Sequence, residues 1–445
     1  MTMAAQRMPT GPYLLVPLPE GGSAPFYVLP FDRDGVCTGP LTREDLLDRV
    51  ASPTVTDIFL FSHGWNNDWA TAMGRYRSFI AGFGQLVARY PINRPFRPVL
   101  VGVVWPSTAL VLPWEAGPDI AAGTVSDEDV AFDRVALDEV AAFLPTADRA
   151  VLYDFAQRPG PLGDGDLDAL AALLAPVYAG EPDELGVADH PSPGQLRQLW
   201  AKIQAGEGGD VGDEGAIPGE GAAAAGPQIA GFFDKLDPRN LIRLATVLIM
   251  KDRAGRVGAH GVASLLRDLR AARPDAAVRL IGHSYGTKVV LSALCVQPEV
   301  SVDSALLLQP AVSCLCFARD VDGRGTPGGY VRATDRIGQP LMTTYTDRDG
   351  PLRTFFHWAA RRPDDLGEIR IAAQPPSRYA ALGGYGPYDA AAPVGWTEAR
   401  SVGQAYPRGD ERIVAVDASK VFSGHGDISN EAAWWMLLDQ VRGGA

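Results

Sequence analysis

Apolar residues follow two rhythms along this chain. Short runs at 13–17, 26–30, 56–61, 98–105, 278–281, 304–310, 341–345 and 413–416 are bounded by turn residues and read as strands. Between them, Met73, Tyr76, Ile80, Phe83, Val87 and Tyr90 recur at three- and four-residue steps and predict an amphipathic helix. Segments 241–250 and 262–269 read as the two pieces of a helical crossover, and 431–441 as a further helix. Strands alternating with helices predict a mostly parallel sheet covered on both faces. The first two strands are expected to form an antiparallel edge. The run at 98–105 is expected beside the strand at 278–281.

The sharpest local pattern starts at Val278, where a short apolar strand runs into Gly282-His283-Ser284-Tyr285-Gly286. Val289, Val290, Leu291, Ala293 and Leu294 then give the apolar face of a helix expected to begin at Tyr285. Small residues on either side let the chain reverse so tightly that the serine hydroxyl is pushed above the sheet. This strand, turn and helix resembles the nucleophile elbow of the α/β-hydrolase superfamily. The resemblance covers about 56–105 and 240–440. It implies an α/β-hydrolase fold, a mostly parallel central sheet with helices on both faces, carrying here a large helical and low-complexity insertion.

The same resemblance implies the rest of a site. The turn His63-Gly64-Trp65, straight after the strand at 56–61, corresponds to the turn that supplies half of an oxyanion hole, so the backbone N–H of Trp65 would join that of Tyr285. The triad acid is expected after the strand at 341–345, where the spacing from Thr346 favours Asp349 and leaves Asp347 as its rival. The general base is expected on the loop after the strand at 413–416, which holds His425. His190 and His260 precede the elbow, His357 follows the acid turn too closely, and His63 and His283 belong to the two motifs. Asp427 is expected to cap the following helix. A serine hydroxyl needs an adjacent base to take its proton, and the base needs a carboxylate to orient it. The chain order Ser284, Asp349, His425 is the order this fold uses.

Chain length then changes the picture. Trp105 and Val278 are separated by 172 residues, where a crossover takes a few dozen. Residues 111–236 hold 23 acidic and 6 basic side chains, while the remainder holds 30 and 34, so the net charge of −13 belongs to this segment. Segments 130–143, 167–178 and 195–204 read as helices, and 205–226 as a loop of Gly, Ala, Asp, Glu and Pro with little to bury. The expected organisation is a core of 1–110 and 237–445 with 111–236 as a cap or lid over the site. Apolar residues such as Leu167, Leu170, Leu173 and Leu174 are expected to lie against the rim of the site.

Composition narrows the class. A hydrophobic content of 46% supports a substantial core, and four scattered cysteines do not make a disulfide framework or a metal site. Asp320-x-Asp322-Gly323 lacks the later ligands of a calcium loop. No basic region followed by an apolar run stands at the N-terminus, and no apolar run is long enough to span a bilayer, so a cytoplasmic protein is expected. The acidic balance argues against nucleic-acid binding. The function expected is cleavage of a small-molecule carboxylic ester without a cofactor, through an acyl-enzyme. A serine nucleophile argues against the epoxide hydrolase and dehalogenase branches, which use aspartate. Lipases, thioesterases, peptidases and acyltransferases share the triad, and a non-catalytic scaffold of the same fold that binds a partner or small ligand is the alternative of a different class.

Overall fold

Alternating side chains along the third strand feed two separate cores. In β3 (Asp57–Ser62), Ile58 and Leu60 enter one apolar cluster while Phe59 and Phe61 enter the other, as the two-residue period of a strand buried on both faces demands. The computed structural model describes residues 10–19, 21–65, 67, 69–107, 137–158, 162–178, 192–204, 238–296, 298–350, 352 and 380–443. The strands are β1 (Leu14–Pro17), β2 (Ser23–Pro30), β3, β4 (Pro98–Val104), β5 (Ala277–His283), β6 (Ser304–Leu308), β7 (Leu341–Tyr345), β8 (Val394–Glu398) and β9 (Ile413–Asp417). They form one nine-stranded sheet in the order β1-β2-β4-β3-β5-β6-β7-β9-β8.

Strands β1 and β2 pair antiparallel at one edge as expected, with β1 the reversed strand and β2 parallel to β4. One expectation about this sheet is corrected. Strand β4 does not lie beside β5: β3 pairs with both and separates them. Both β3 and β4 are buried along most of their length, and hydrophobicity alone does not order buried strands. The segment 355–410, which shows no periodicity, contributes the edge strand β8, parallel to β9. Its half-exposed pattern hides it from a search for apolar runs.

Helices α1 (Pro40–Val50) and α2 (Trp69–Arg89) follow β2 and β3. The sequence reading missed α1, although Pro40 sits at its first turn and Leu46 and Val50 share its buried face. Helix α2 matches the periodicity of Met73 through Val87 and packs with the C-terminal helix on one face of the sheet.

Inside the acidic segment, residues 137–143 are helical, and α3 (Thr146–Gln157), α4 (Asp164–Tyr178) and α5 (Pro193–Gln204) follow. Helix α3 was not expected. The first part of the 130–143 helix and the 205–226 loop lie outside the described residues.

The crossover is not two pieces. Helix α6 (Pro238–Arg256) continues through a π-helical segment (Val257–Val262) into α7 (Ala263–Ala272), a rod of about 50 Å at 1.5 Å per residue. Glycines make its close passage possible. A Cβ on Gly258 would fall 2.3 Å from the carbonyl oxygen of Val289, and one on Gly261 would fall 2.4 Å from that of Gly35. Arg253 donates to the carbonyl of Pro106, just past the C-terminal end of β4, and pairs with Glu139 of the helical stretch 137–143. Roughly the last 20 Å of the rod toward its N-terminus therefore projects beyond the strand ends. Leu241, Ile242, Ala245 and Ile249 on that projection share a core cluster with Leu152, Phe155, Leu170, Leu174 and Trp200 of α3, α4 and α5. Helices α3 and α4 pack on α6, and α5 packs on α4.

Helix α8 (Gly286–Val296) starts one residue later than expected, and α9 (Glu431–Gly443) lies against α2. At the opposite strand ends, fully buried Asp57 takes both terminal nitrogens of Arg94 at 2.7 Å and Nε of fully buried Arg279 at 3.2 Å. The charge inside the apolar β5 run is thereby compensated. Among the described residues no helix is long and apolar enough to cross a membrane.

Candidate active site

The backbone of Ser284 is held in the left-handed region, at φ 54°, on a residue with a Cβ. That conformation costs about 1–2 kcal/mol and persists only where the surroundings enforce it. Here the Ser284 N–H donates to the carbonyl of Leu308, and its own carbonyl accepts from Thr287 and Ala311. The flanking glycines have a steric reason. A Cβ on Gly286 would come 2.1 Å from the carbonyl oxygen of Ser62, and one on Gly282 would come 2.7 Å from Cα of Thr287.

Three side chains from distant parts of the chain meet at this turn. Nε2 of His425 is 2.9 Å from Oγ of Ser284, and Nδ1 of His425 is 2.8 Å from Oδ2 of Asp349. Asp349 is fully buried, and its other oxygen accepts the N–H of Leu352 at 2.9 Å. A carboxylate accepts, so the proton of the neutral imidazole belongs on Nδ1, leaving Nε2 bare toward the serine. Asp347, the rival acid, is exposed, and its backbone N–H donates to Oγ of Ser419 at 3.1 Å. Asp427 is not the helix cap. Its carboxylate accepts from the N–H and Oγ of Ser423, both at 2.9 Å, while Asn430 caps α9 by accepting the N–H of Ala433.

Trp65 and Tyr285 stand on the two segments that meet at Ser284, with ring centroids 6.2 Å apart. The turn carrying Trp65 is clamped by residues given no role from sequence. Asn67 donates from Nδ2 to the carbonyls of Gly64 and Trp65, and exchanges hydrogen bonds with Oγ of Ser107 through its main chain. Trp105 stacks on His63 with planes 5° apart and donates its indole N–H to the carbonyl of His63. The backbone N–H of Trp105 donates to Nε2 of His63, so His63 carries its proton on Nδ1 and gives it to the carbonyl of Gly64 at 2.8 Å. Burial pushes the His63 pKa down to about 4, keeping the ring neutral near pH 7. Asn67 follows the His63-Gly64-Trp65 motif closely enough to have been suspected, whereas Trp105 and Ser107 come from the end of another strand and left no local signal.

Among the described residues no group of three His, Cys, Asp or Glu side chains could hold a metal ion. None of the four cysteines forms a disulfide, and burial raises the thiol pKa of Cys295 to about 11.

Residues 237–313 match a family model described as alpha/beta hydrolase. The matched stretch runs from the start of α6 through β6 and contains Ser284, while Asp349 and His425 lie beyond it. With the parallel sheet and its helices on both faces, the architecture is an α/β-hydrolase fold. The match supports membership of the α/β-hydrolase superfamily. Comparison with curated proteins and with solved structures finds no match.

Proposed function

We propose that this chain is a serine hydrolase that cleaves carboxylic esters through an acyl-enzyme. Ser284 is the nucleophile, His425 the general base and acid, Asp349 the carboxylate that orients it, and the amides of Trp65 and Tyr285 the oxyanion donors. The observation that carries this reading is the line of hydrogen bonds from Asp349 through His425 to Ser284, at 2.8 and 2.9 Å, on an elbow with a strained serine.

Attack by Oγ on the ester carbonyl carbon transfers the serine proton to Nε2 of His425, and the Asp349 carboxylate stabilises the imidazolium. Two backbone amides would hold the tetrahedral oxyanion, each donor contributing about 3 kcal/mol in comparable sites. Collapse breaks the bond to the leaving alcohol, which takes the proton from Nε2. Water, deprotonated by the same nitrogen, then attacks the acyl-enzyme and returns Ser284 with release of the acid. The dipole of α8, beginning at Gly286, favours the developing negative charge.

Residues 111–236 form a cap in this reading, supported by the docking of α3 and α4 on α6, with α5 packed on α4. The substrate is a small-molecule ester. Ser284→Ala removes only the attacking oxygen, and turnover of a nitrophenyl ester should fall by at least about a thousandfold with the melting temperature retained. Turnover above a tenth of the parent rate would remove Ser284 from the mechanism.

A further inference from the structure

The elbow and the base loop are joined by a hydrogen bond that lies outside the line from Asp349 to Ser284. His283, the residue before the serine, is 2% exposed, and its Nε2 lies 2.9 Å from the backbone carbonyl oxygen of His425. A carbonyl only accepts, so Nε2 carries the proton and Nδ1 is bare. Among the described residues Nδ1 has no hydrogen-bond partner. It lies against Gly64, whose Cβ, if present, would stand 3.1 Å away. The imidazole of His283 is thus backed by the turn carrying Trp65 and donates into the loop carrying His425.

Elsewhere the base loop is held by its own contacts: the Asp427 carboxylate accepts from Ser423, Asn430 donates to the carbonyl of Asp427, and Phe422 and Ile428 are buried. Arg75 reaches the carbonyl of Gly426 at 3.5 Å. His425 must satisfy two distances at once, 2.9 Å to Ser284 and 2.8 Å to Asp349, from a main chain held on its inner side by His283. A displacement of about 1 Å in such a group is enough to cost on the order of a hundredfold in rate. Burial, with the neighbouring His425, Arg75 and His63, holds the His283 pKa well below the ordinary imidazole value, so its protonation pattern stays the same across the working range of a histidine base.

We propose that His283 is a positioning residue, whose Nε2–H fixes the main chain of His425 so that the imidazole of His425 reaches Ser284 and Asp349 together. The proposal rests on the triad reading given above. It predicts that what matters at position 283 is an N–H at the reach of Nε2, not polarity or volume alone. Glutamine can place its amide N–H there, whereas asparagine stops near the position of Nδ1.

The test compares His283→Gln, His283→Asn and Ser284→Ala in the full chain, with kcat and KM for nitrophenyl acetate and a melting temperature for each. His283→Asn should lower kcat on the order of tenfold to a hundredfold with KM little changed, and His283→Gln should restore most of that loss. Equal kcat values for the two amides, or a loss confined to KM, would overturn the proposal. Nitrogen NMR of the parent protein gives a readout that does not depend on variants folding. His283 should show a protonated Nε2 and a bare Nδ1, and the opposite tautomer would equally overturn the proposal. If the parent has no esterase turnover, or Ser284→Ala retains it, the triad reading fails instead, and the tautomer measurement still decides the hydrogen bond.

Discussion

The Cβ that Gly64 lacks would lie 2.6 Å from the Cβ of Ser284, closer than real side chains approach. The turn carrying Trp65 and the elbow therefore touch through a position that only glycine can occupy. That contact sets where the amide of residue 65 stands relative to the serine. Gly64→Ala should push the two apart and lower kcat for a nitrophenyl ester by about a hundredfold, the cost of losing one oxyanion donor, with KM little changed. A variant with parent kcat would show that the turn takes no part in the reaction.

Asp349 and Asp347 are two residues apart in sequence and differ completely in surroundings. Asp349→Asn should lower kcat by about four orders of magnitude, because an amide at this position favours the wrong imidazole tautomer. Asp347→Asn should leave kcat within about twofold, as expected for an exposed residue whose side chain contacts nothing in the site. Steady-state kinetics of the two variants check the assignment, and a larger loss for Asp347→Asn would reverse it.

Much of this was legible in the chain because the chemistry is local. The elbow shows itself through Gly282, Ser284 and Gly286, and the strands at 56–61 and 278–281 are apolar enough to be seen without context. What was not legible depends on contacts between distant segments. Nothing in residues 98–105 says that β3 intervenes before β5. The apolar faces of α3 and α4 announce that they are covered but not that α6 covers them. Asn430 and Asp427 are both plausible caps by residue type, and only the fold of the loop assigns the cap to Asn430. The two aspartates after β7 could be ranked by spacing alone, while burial separates them plainly.

Stability should fall on mild acidification. His63 is fully buried with its pKa lowered to about 4, against an ordinary value of 6.5. Between those values the unfolded chain binds a proton at this residue that the folded chain does not. Its contribution is therefore present in full above pH 6.5 and is lost as pH falls toward 4, up to about 3 kcal/mol. His283 acts in the same direction. Urea unfolding at pH 7 and pH 4.5 should show a loss about 2–3 kcal/mol larger for the parent than for His63→Gln, which has no such proton to bind. Equal losses would mean that His63 is not held neutral.

The docking of α4 on α6 can be loosened without deleting either helix. Leu170 on α4 is fully buried in the cluster shared with Leu241 and Ile242 of α6, and Leu170→Ala should destabilise that docking by about 2–5 kcal/mol. If the cap gates the site, the ratio of kcat/KM for an eight-carbon and a two-carbon nitrophenyl ester should shift severalfold. An unchanged ratio in a folded variant with a lowered melting temperature would show that the segment does not control acyl length.

The most direct measurement of the central claim is covalent. A fluorophosphonate probe reacts with a serine that a neighbouring base activates, and intact-mass and peptide analysis show which residue carries it. The protein should take up one equivalent at Ser284, His425→Ala should label far more slowly, and Ser284→Ala should not label. Absence of labelling in the folded parent protein, or labelling that persists in Ser284→Ala, would contradict the account.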